Sequence, residues 1–496
     1  MGDSFDVIDA TVREIHAAFE AGELTATALV DRYFERIDAY DDDLNAILTT
    51  NPAACDRATE LDKTFEADGF VGPLHGIPIL LKDNQATHDL PTTAGSVALD
   101  GEVPERDAAV VERLREAGGI VLAKANLQEF SFGVDTVSSL GGETWNPYAL
   151  DRRPSGSSGG TASAIAANLG TIGTGSDTCS SVRSPPAFTS LVGVRPSRGL
   201  VSRTGVVPLS ATQDTVGPIT RTVEDAARML DVLAGYDPDD PLTATGADAI
   251  PADGYVSHLD ADGLDGARIG VVRDFFGLDG DHDRDLESAA EAVTSIVDSA
   301  IEEMAAAGAT IVDPVAVPDG LNCARLVALE FKRDLDDYLD EWTDTGLTME
   351  RIVESEQVHP WIHERMEDSE ILGVDSESLD ENAEYLGRLS RREELRIDTL
   401  ARMIDDDLDA LVYPPSTVLP VQAPNRQPFD ELRCQLAAHT GLPAITLPAG
   451  FTEEGLPVGV ELLGRKFAEP RLFELAYAYE QASKHRVPPE GFGLVR

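Results

Sequence analysis

Two glycine–serine clusters constrain this chain more than any other feature. Pro154-Ser155-Gly156-Ser157-Ser158-Gly159-Gly160 and Gly175-Ser176-Asp177-Thr178-Cys179-Ser180-Ser181-Val182-Arg183 flank one short, alanine-rich element. Glycine allows turns and close backbone approaches that are closed to residues with a Cβ. Both segments therefore read as places where the main chain comes close to something else. Serines set there put hydroxyls beside converging backbone N–H groups. Such an arrangement can supply a nucleophile and an oxyanion hole together.

The rest of the chain reads as α/β. Residues 9–50 read as helical, with Val12, Ile15, Ala18 and Phe19, then Leu29, Val30, Phe34 and Ile37, recurring at three- and four-residue spacing. Gly72-Pro73 and His75-Gly76 then punctuate the chain before the apolar run Ile77-Pro78-Ile79-Leu80-Leu81. That run predicts a buried strand ending in Lys82-Asp83-Asn84, with Pro78 at an edge or at the strand start. An amphipathic helix over 106–118 and a strand over Gly119–Ala123 follow. A small-residue helix over 160–169 and a short strand from Ile172 to Gly175 come next. Thr222 with Asp225 forms a variant capping box for a helix through about Ala234. Residues 236–265 are rich in Asp, Pro and Gly and predict an exposed excursion, and the charged segment 330–402 predicts a helical cap over a cleft. Strands return at Leu411-Val412-Tyr413 and Ala444-Ile445-Thr446-Leu447. The alternation predicts a largely parallel core sheet. No repeat or hinge divides the chain, so residues 1–496 are expected to form one domain.

Composition narrows the setting. The formal net charge of −50 is spread along the chain in short runs such as Asp41-Asp42-Asp43. Acid so distributed points to adaptation to molar salt, where the screening length falls to about 3 Å. No N-terminal apolar segment and no run of the ~18 apolar residues needed to span a bilayer is present, so the expected location is the cytoplasm, with no membrane partner. Cys55, Cys179, Cys323 and Cys434 are scattered without a CxxC pair. They predict neither a zinc site nor a disulfide framework, and they fit a reducing compartment. Only six lysines occur (Lys63, Lys82, Lys124, Lys332, Lys466 and Lys484) in a chain that otherwise uses arginine. Arginine cannot act as a base, so each retained lysine is of interest.

Gly156-Ser157-Ser158-Gly159-Gly160 satisfies G-x-S-x-G and would nominate Ser158 as a nucleophile. That motif belongs on a strand–turn–helix elbow, yet Asp151-Arg152-Arg153-Pro154 precedes it. A broader set of motifs resembles the amidase signature family, serine hydrolases that use a Ser–cis-Ser–Lys triad. It runs over about 73–223 as PLHGIPILLKDN, PTTAGS, AKANLQEFSFG, NPYALDRRPSGSSGG, GSDTCSSVRSPPA and GVRPSRGLVSRTGVVPLSATQDTVGP. It resumes near the C-terminus as HTGLPAITLPAGFTEEGLPVGVELLGR.

The resemblance implies one α/β/α domain with a large mixed, twisted sheet, and hydrolysis of a small-molecule carboxamide without metal or cofactor. It puts the catalytic lysine on Lys82, the cis-serine on Ser157 and the acylated serine on Ser181. Burial at a strand end would lower the Lys82 pKa and free its amine as a base. Backbone N–H groups around Thr178, Cys179, Ser180 and Ser181 would hold the oxyanion. Family members commonly carry Gly-Gly where this chain has Cys179-Ser180. That change requires either ordinary dihedrals or tolerated strain, and it makes Ser180 a rival nucleophile. Cys179, with no histidine near it in sequence, reads as an inert small residue. Ser158, Asp177 and Arg183 read as structural supports, and Lys124 and Asn126 as scaffold. The segment 129–133, with Ser131, is expected to line the acyl side of the pocket. None of the nine histidines is assigned to catalysis.

The alternative is the glutaminase component of a tRNA-dependent Asp/Glu amidotransferase, which would need partner subunits and tRNA. Such chains usually read Ser-Leu-Asp before Gly-Pro, where this one has Thr212-Gln213-Asp214-Thr215-Val216-Gly217-Pro218. Nucleic acid is expected as a partner only on that reading, and assembly as a homodimer stays open.

Overall fold

The computed structural model describes residues 5–278, 284–367 and 369–495. Its strands are Ile47–Thr50 (β1), Pro78–Lys82 (β2), Ile120–Ala125 (β3), Val137–Ser138 (β4), Gly142–Glu143 (β5), Ile172–Asp177 (β6) and Val192–Arg195 (β7). They continue as Thr215–Thr220 (β8), Arg268–Val271 (β9), Thr310–Val312 (β10), Ala410–Tyr413 (β11), Ala444–Phe451 (β12) and Pro457–Gly464 (β13). Eleven of them form one sheet in the order β1-β3-β2-β6-β8-β7-β12-β13-β11-β9-β10, while β4 and β5 pair separately.

The sheet is mixed, as the resemblance implied, but it is not largely parallel. Parallel pairing joins β3, β2 and β6 on one side and β11, β9 and β10 on the other. Between β6 and β11 every pairing is antiparallel. The misreading has a physical cause. Helices cover both faces of the sheet, so antiparallel strands such as β8 and β13 are buried at every position. They show the continuous buried pattern that usually marks parallel strands. Pro78 begins β2, which lies between β3 and β6, so it sits at a strand start inside the sheet rather than at an edge.

Helices form at Val12–Ala21 and Ala26–Leu44, but the expected helix does not reach residue 50, because Ile47–Thr50 pairs with β3 as the edge strand β1. Thr222 caps the helix Val223–Leu233 by accepting the Asp225 N–H. The Asp225 carboxylate does not complete the box; it accepts the Val12 N–H at 3.1 Å and ties the N-terminal helix to this one. The helix Gly159–Ala166 is buried at every residue. Its small residues are required, because a methyl group on Gly160 would lie 2.1 Å from the Asn126 carbonyl oxygen. The excursion at 236–265 contains only short 3-10 turns. The cap runs from Val327–Trp342 through Met349–Ser355 and Pro360–Met366 to the long helix Ala383–Asp405.

Candidate active site

The end of β2 delivers Lys82 into the interior with no exposed surface. Its Nζ donates to Ser157 Oγ at 2.7 Å and to Ser176 Oγ at 2.9 Å, with the Ser176 carbonyl at 3.4 Å. Burial lowers the Lys82 pKa to about 7, against the upward pull of Asp214 and Asp177. Neither carboxylate is a hydrogen-bond partner of the amine. Asp177 accepts from Arg183 Nε at 3.1 Å, Arg195 Nη1 at 2.5 Å and the Val182 N–H. Asp214 accepts from Thr178 Oγ1 at 2.5 Å and from the Leu209 and Ser210 N–H groups. A buried lysine surrounded by neutral acceptors holds a substantial neutral fraction near neutral pH and can take up a proton.

Ser157 follows a cis peptide bond after Gly156, and its carbonyl accepts the Gln128 N–H at 3.0 Å. Gly156 passes so close to the neighbouring segment that a Cβ there would lie 2.9 Å from the Val134 carbonyl carbon. Ser158 is fully buried and donates to the Ser176 carbonyl at 3.3 Å. It does not line the cavity, and no strand leads into it as a nucleophile elbow of the G-x-S-x-G kind requires.

Beyond β6 the chain runs through Thr178, Cys179, Ser180 and Ser181 along a cavity of about 300 Å³. The backbone N–H groups of these four residues donate to no protein acceptor among the described residues. The Ser180 hydroxyl accepts from Ser184 Oγ at 3.2 Å, and Ser184 in turn accepts from Ser155. Ser181 Oγ enters no hydrogen bond among the described residues and lies at the cavity wall. Both serines line the cavity, and of the two hydroxyls only that of Ser180 is engaged by a described residue. Ser157 Oγ is engaged by Lys82, and no hydrogen bond joins Ser157 to Ser181.

Neither Cys179 nor Ser180 adopts a positive φ, so the residues at the usual Gly-Gly positions have ordinary dihedrals. Cys179 is not a free thiol. It forms a disulfide with Cys434, 255 residues away, with the Cα atoms 5.0 Å apart. The expectation of uniformly reduced cysteines fails because local spacing cannot show a pair that meets only through the fold. Cys55 and Cys323 are free.

Arg183, expected as a support, bridges Asp177 and Glu461, the latter at 2.6 Å, and Tyr413 also donates to Glu461. Three contacts around the loop were not foreseen. Ser176 is the second acceptor of Lys82, and Asp214 anchors Thr178. Gln213 joins the Thr178 carbonyl at 3.1 Å to the Leu326 N–H at the start of the cap. The position of Ser176 in the second cluster, two residues after Thr174 on the same strand face, was the available signal.

Of the segment 129–133, Ser131, Phe132 and Gly133 line the cavity. Glu129 does not; it turns away and accepts the His359 N–H at 2.7 Å, holding the cap to the core. Phe132, Val134, Leu209, Val327 and Phe429 make an apolar wall, while Arg325, Arg365 and Asp430 supply its charged groups. Lys124 pairs with Asp83 at 3.0 Å, and Asn126 donates to Thr144. Both contacts tie scaffold segments together. The one group able to ligate a metal ion among the described residues, His88 with Asp89 and Asp107, does not line this cavity, and Arg115 already pairs with both carboxylates. No described helix is long and apolar enough to cross a membrane.

The amidase family model matches residues 28–473. A probable amidase of Arabidopsis thaliana is 36% identical, covering 99% of this chain and 93% of its own length. A glutamyl-tRNA(Gln) amidotransferase chain of the A type, from a Cyanothece strain, is 33% identical, covering 96% and 98%. The X-ray structure of the native peptide amidase from Stenotrophomonas maltophilia superposes with a TM-score of 0.86 at 34% identity, covering 97% of this chain and 98% of that one.

Proposed function

The chain belongs to the amidase family of amide-bond hydrolases, and on that premise we propose that Lys82, Ser157 and Ser181 carry its chemistry. The observation behind this reading is the buried Lys82 amine, held 2.7 Å from Ser157 Oγ and brought to a pKa of about 7. Neutral Lys82 accepts the Ser157 proton, and Ser157 accepts that of Ser181. Ser181 Oγ attacks the substrate carbonyl. The oxyanion forms beside the unengaged N–H groups of the 178–181 loop, where one such donor is worth about 3–4 kcal/mol. The proton returns through Ser157 to the leaving nitrogen as the C–N bond breaks, releasing ammonia or an amine. Water then enters, gives a proton by the same route and releases the acid from Ser181.

The substrate is proposed to be an amide whose acyl part combines apolar and polar groups, such as a peptide amide. The apolar wall with Arg325, Arg365 and Asp430 supports this, as does similarity to the Stenotrophomonas peptide amidase. The test is ammonia release from a panel of peptide amides and glutamine, with wild type and Ser181→Ala. Peptide amides should be the better substrates, and the variant should lose about 10⁴-fold in kcat while its circular dichroism is unchanged. Substantial activity in Ser181→Ala would overturn the assignment. Activity on glutamine alone would favour the amidotransferase reading. The distributed charge of −50 further supports adaptation to concentrated salt. Activity and melting temperature should both rise from dilute buffer to molar KCl, and full stability without salt would remove that reading.

A further inference from the structure

Lys466 remains unexplained by the amide chemistry. Its ammonium makes no hydrogen bond or ion pair among the described residues, and it lies 4.6 Å from the centre of the Phe467 ring. It lines a second pocket of about 210 Å³, together with Arg198, Arg392, Arg396 and Glu393. Acidic residues outnumber lysine plus arginine by 89 to 39 in this chain. Four cations around one carboxylate therefore run against its whole composition.

The nearby carboxylates offset this charge only in part, since Glu393 pairs with Arg396 alone and none among the described residues forms an ion pair with Lys466, Arg392 or Arg198. Glu393 is already hydrogen-bonded to Arg396. Glu330 accepts from Ser210, from Thr212 Oγ1 and from Tyr385, and forms no ion pair with Arg392 or Arg198. Arg392 is only 8% exposed, and all its acceptors are neutral: the Ala324 carbonyl at 3.0 Å and the Thr212 carbonyl and hydroxyl. Its Nη2 has no acceptor among the described residues, nor does Arg198 Nε. Arg198 Nη2 reaches only the Ala211 carbonyl at 3.2 Å. Burial, joined by like charges and working against the upward pull of Glu330, lowers Arg392 to a pKa of about 9 and Arg198 to about 10. Unpaired guanidinium groups this enclosed are costly unless an anion completes them.

We propose that this pocket is a binding site for a phosphate dianion, either free phosphate or the phosphate of a monoester. Arg392 Nη2 and Arg198 Nε, which lack a protein acceptor among the described residues, would donate to its oxygens, and Lys466 and Arg396, the latter shared with Glu393, would add charge. The site is separate from the candidate active site but adjoins it, because His439 lines both cavities. Nδ1 of His439 engages the Leu321 carbonyl at 2.7 Å, and the ring stays neutral, its pKa lowered to about 3 by burial and by Arg392. The histidine therefore forms an uncharged partition and does not compete with the cations. The proposal does not depend on the amide chemistry.

Calorimetric titration of the full chain with inorganic phosphate, and in parallel with glycerol phosphate, tests it at an ionic strength fixed with KCl. Saturable one-site binding is expected. Lys466→Gln and Arg396→Gln should each weaken it about tenfold or more, the scale of one lost charge-assisted contact. Neither side chain supports the fold through a buried contact, so both variants should keep the wild-type melting temperature without ligand. Tighter binding of glycerol phosphate would place an ester tail in the pocket, and tighter binding of phosphate would identify the free ion; either supports the site. No saturable heat with either ligand, or unchanged affinity in both variants, would overturn it.

Discussion

Two neighbouring strands each bury a lysine completely, and the two residues meet different kinds of partner. Lys82 on β2 and Lys124 on β3 both have no exposed surface. Lys124 stands in register with Leu81, so the two side chains leave opposite faces of the sheet. Burial lowers the pKa of both. Lys124 has Asp83 at 3.0 Å, along with Thr92 and the Pro91 carbonyl. Lys82 has only hydroxyls and a carbonyl, because Asp177 and Asp214 are held by other donors. Burial alone does not make a lysine a base. The partner set decides, and here the nearest carboxylates are kept occupied elsewhere.

The largest expected effect separates the two residues. Lys82→Met should lower ammonia release by about 10³-fold or more with little loss of stability, since it removes a buried polar group along with its cost. Lys124→Met should do the reverse. It leaves Asp83 buried without its cation, at about 3–5 kcal/mol, while the kcat of folded enzyme stays within about tenfold of wild type. Denaturant unfolding and steady-state kinetics on both variants measure the contrast, and equal kinetic losses would erase it.

A smaller effect concerns pH. Lys82 must be neutral to accept a proton, so kcat/KM should fall as pH drops through about 7, by roughly tenfold per unit below that point. An ordinary lysine would place this limb near 10.5. Ser176→Asp would set a carboxylate beside Nζ and make the site resemble that of Lys124. An opposite charge that close favours the ammonium form, so the limb should move up by about one unit or more. A limb that stays in place would show that burial, not the partner set, governs this lysine.

Much of this was legible along the chain. The run before Lys82 specified a buried strand, and the two glycine–serine clusters marked where the main chain packs against itself. But the residues before Lys82 and before Lys124 look alike, as Ile79-Leu80-Leu81 and Val121-Leu122-Ala123. Their difference lies in partners contributed by distant segments. Strand direction was hidden because two-sided burial removes the alternation that would have exposed it. Strand β1 was missed because Thr49 and Thr50 leave its short edge half polar. Gln213 and the cap arginines acquire meaning only when the cap closes over the loop, and no local pattern records that contact.

The Cys179–Cys434 bond closes a covalent ring across a sequence separation of 255, and the ring includes the whole helical cap. By the chain-entropy estimate, closing so long a ring disfavours the unfolded chain by about 5 kcal/mol. It also changes what damage means for this molecule. A protease that nicks the cap once opens the ring but releases no fragment, because both cut ends remain tethered through the residue two positions before Ser181. The roof of the cleft and the 178–181 loop are thus physically inseparable while that bond is intact.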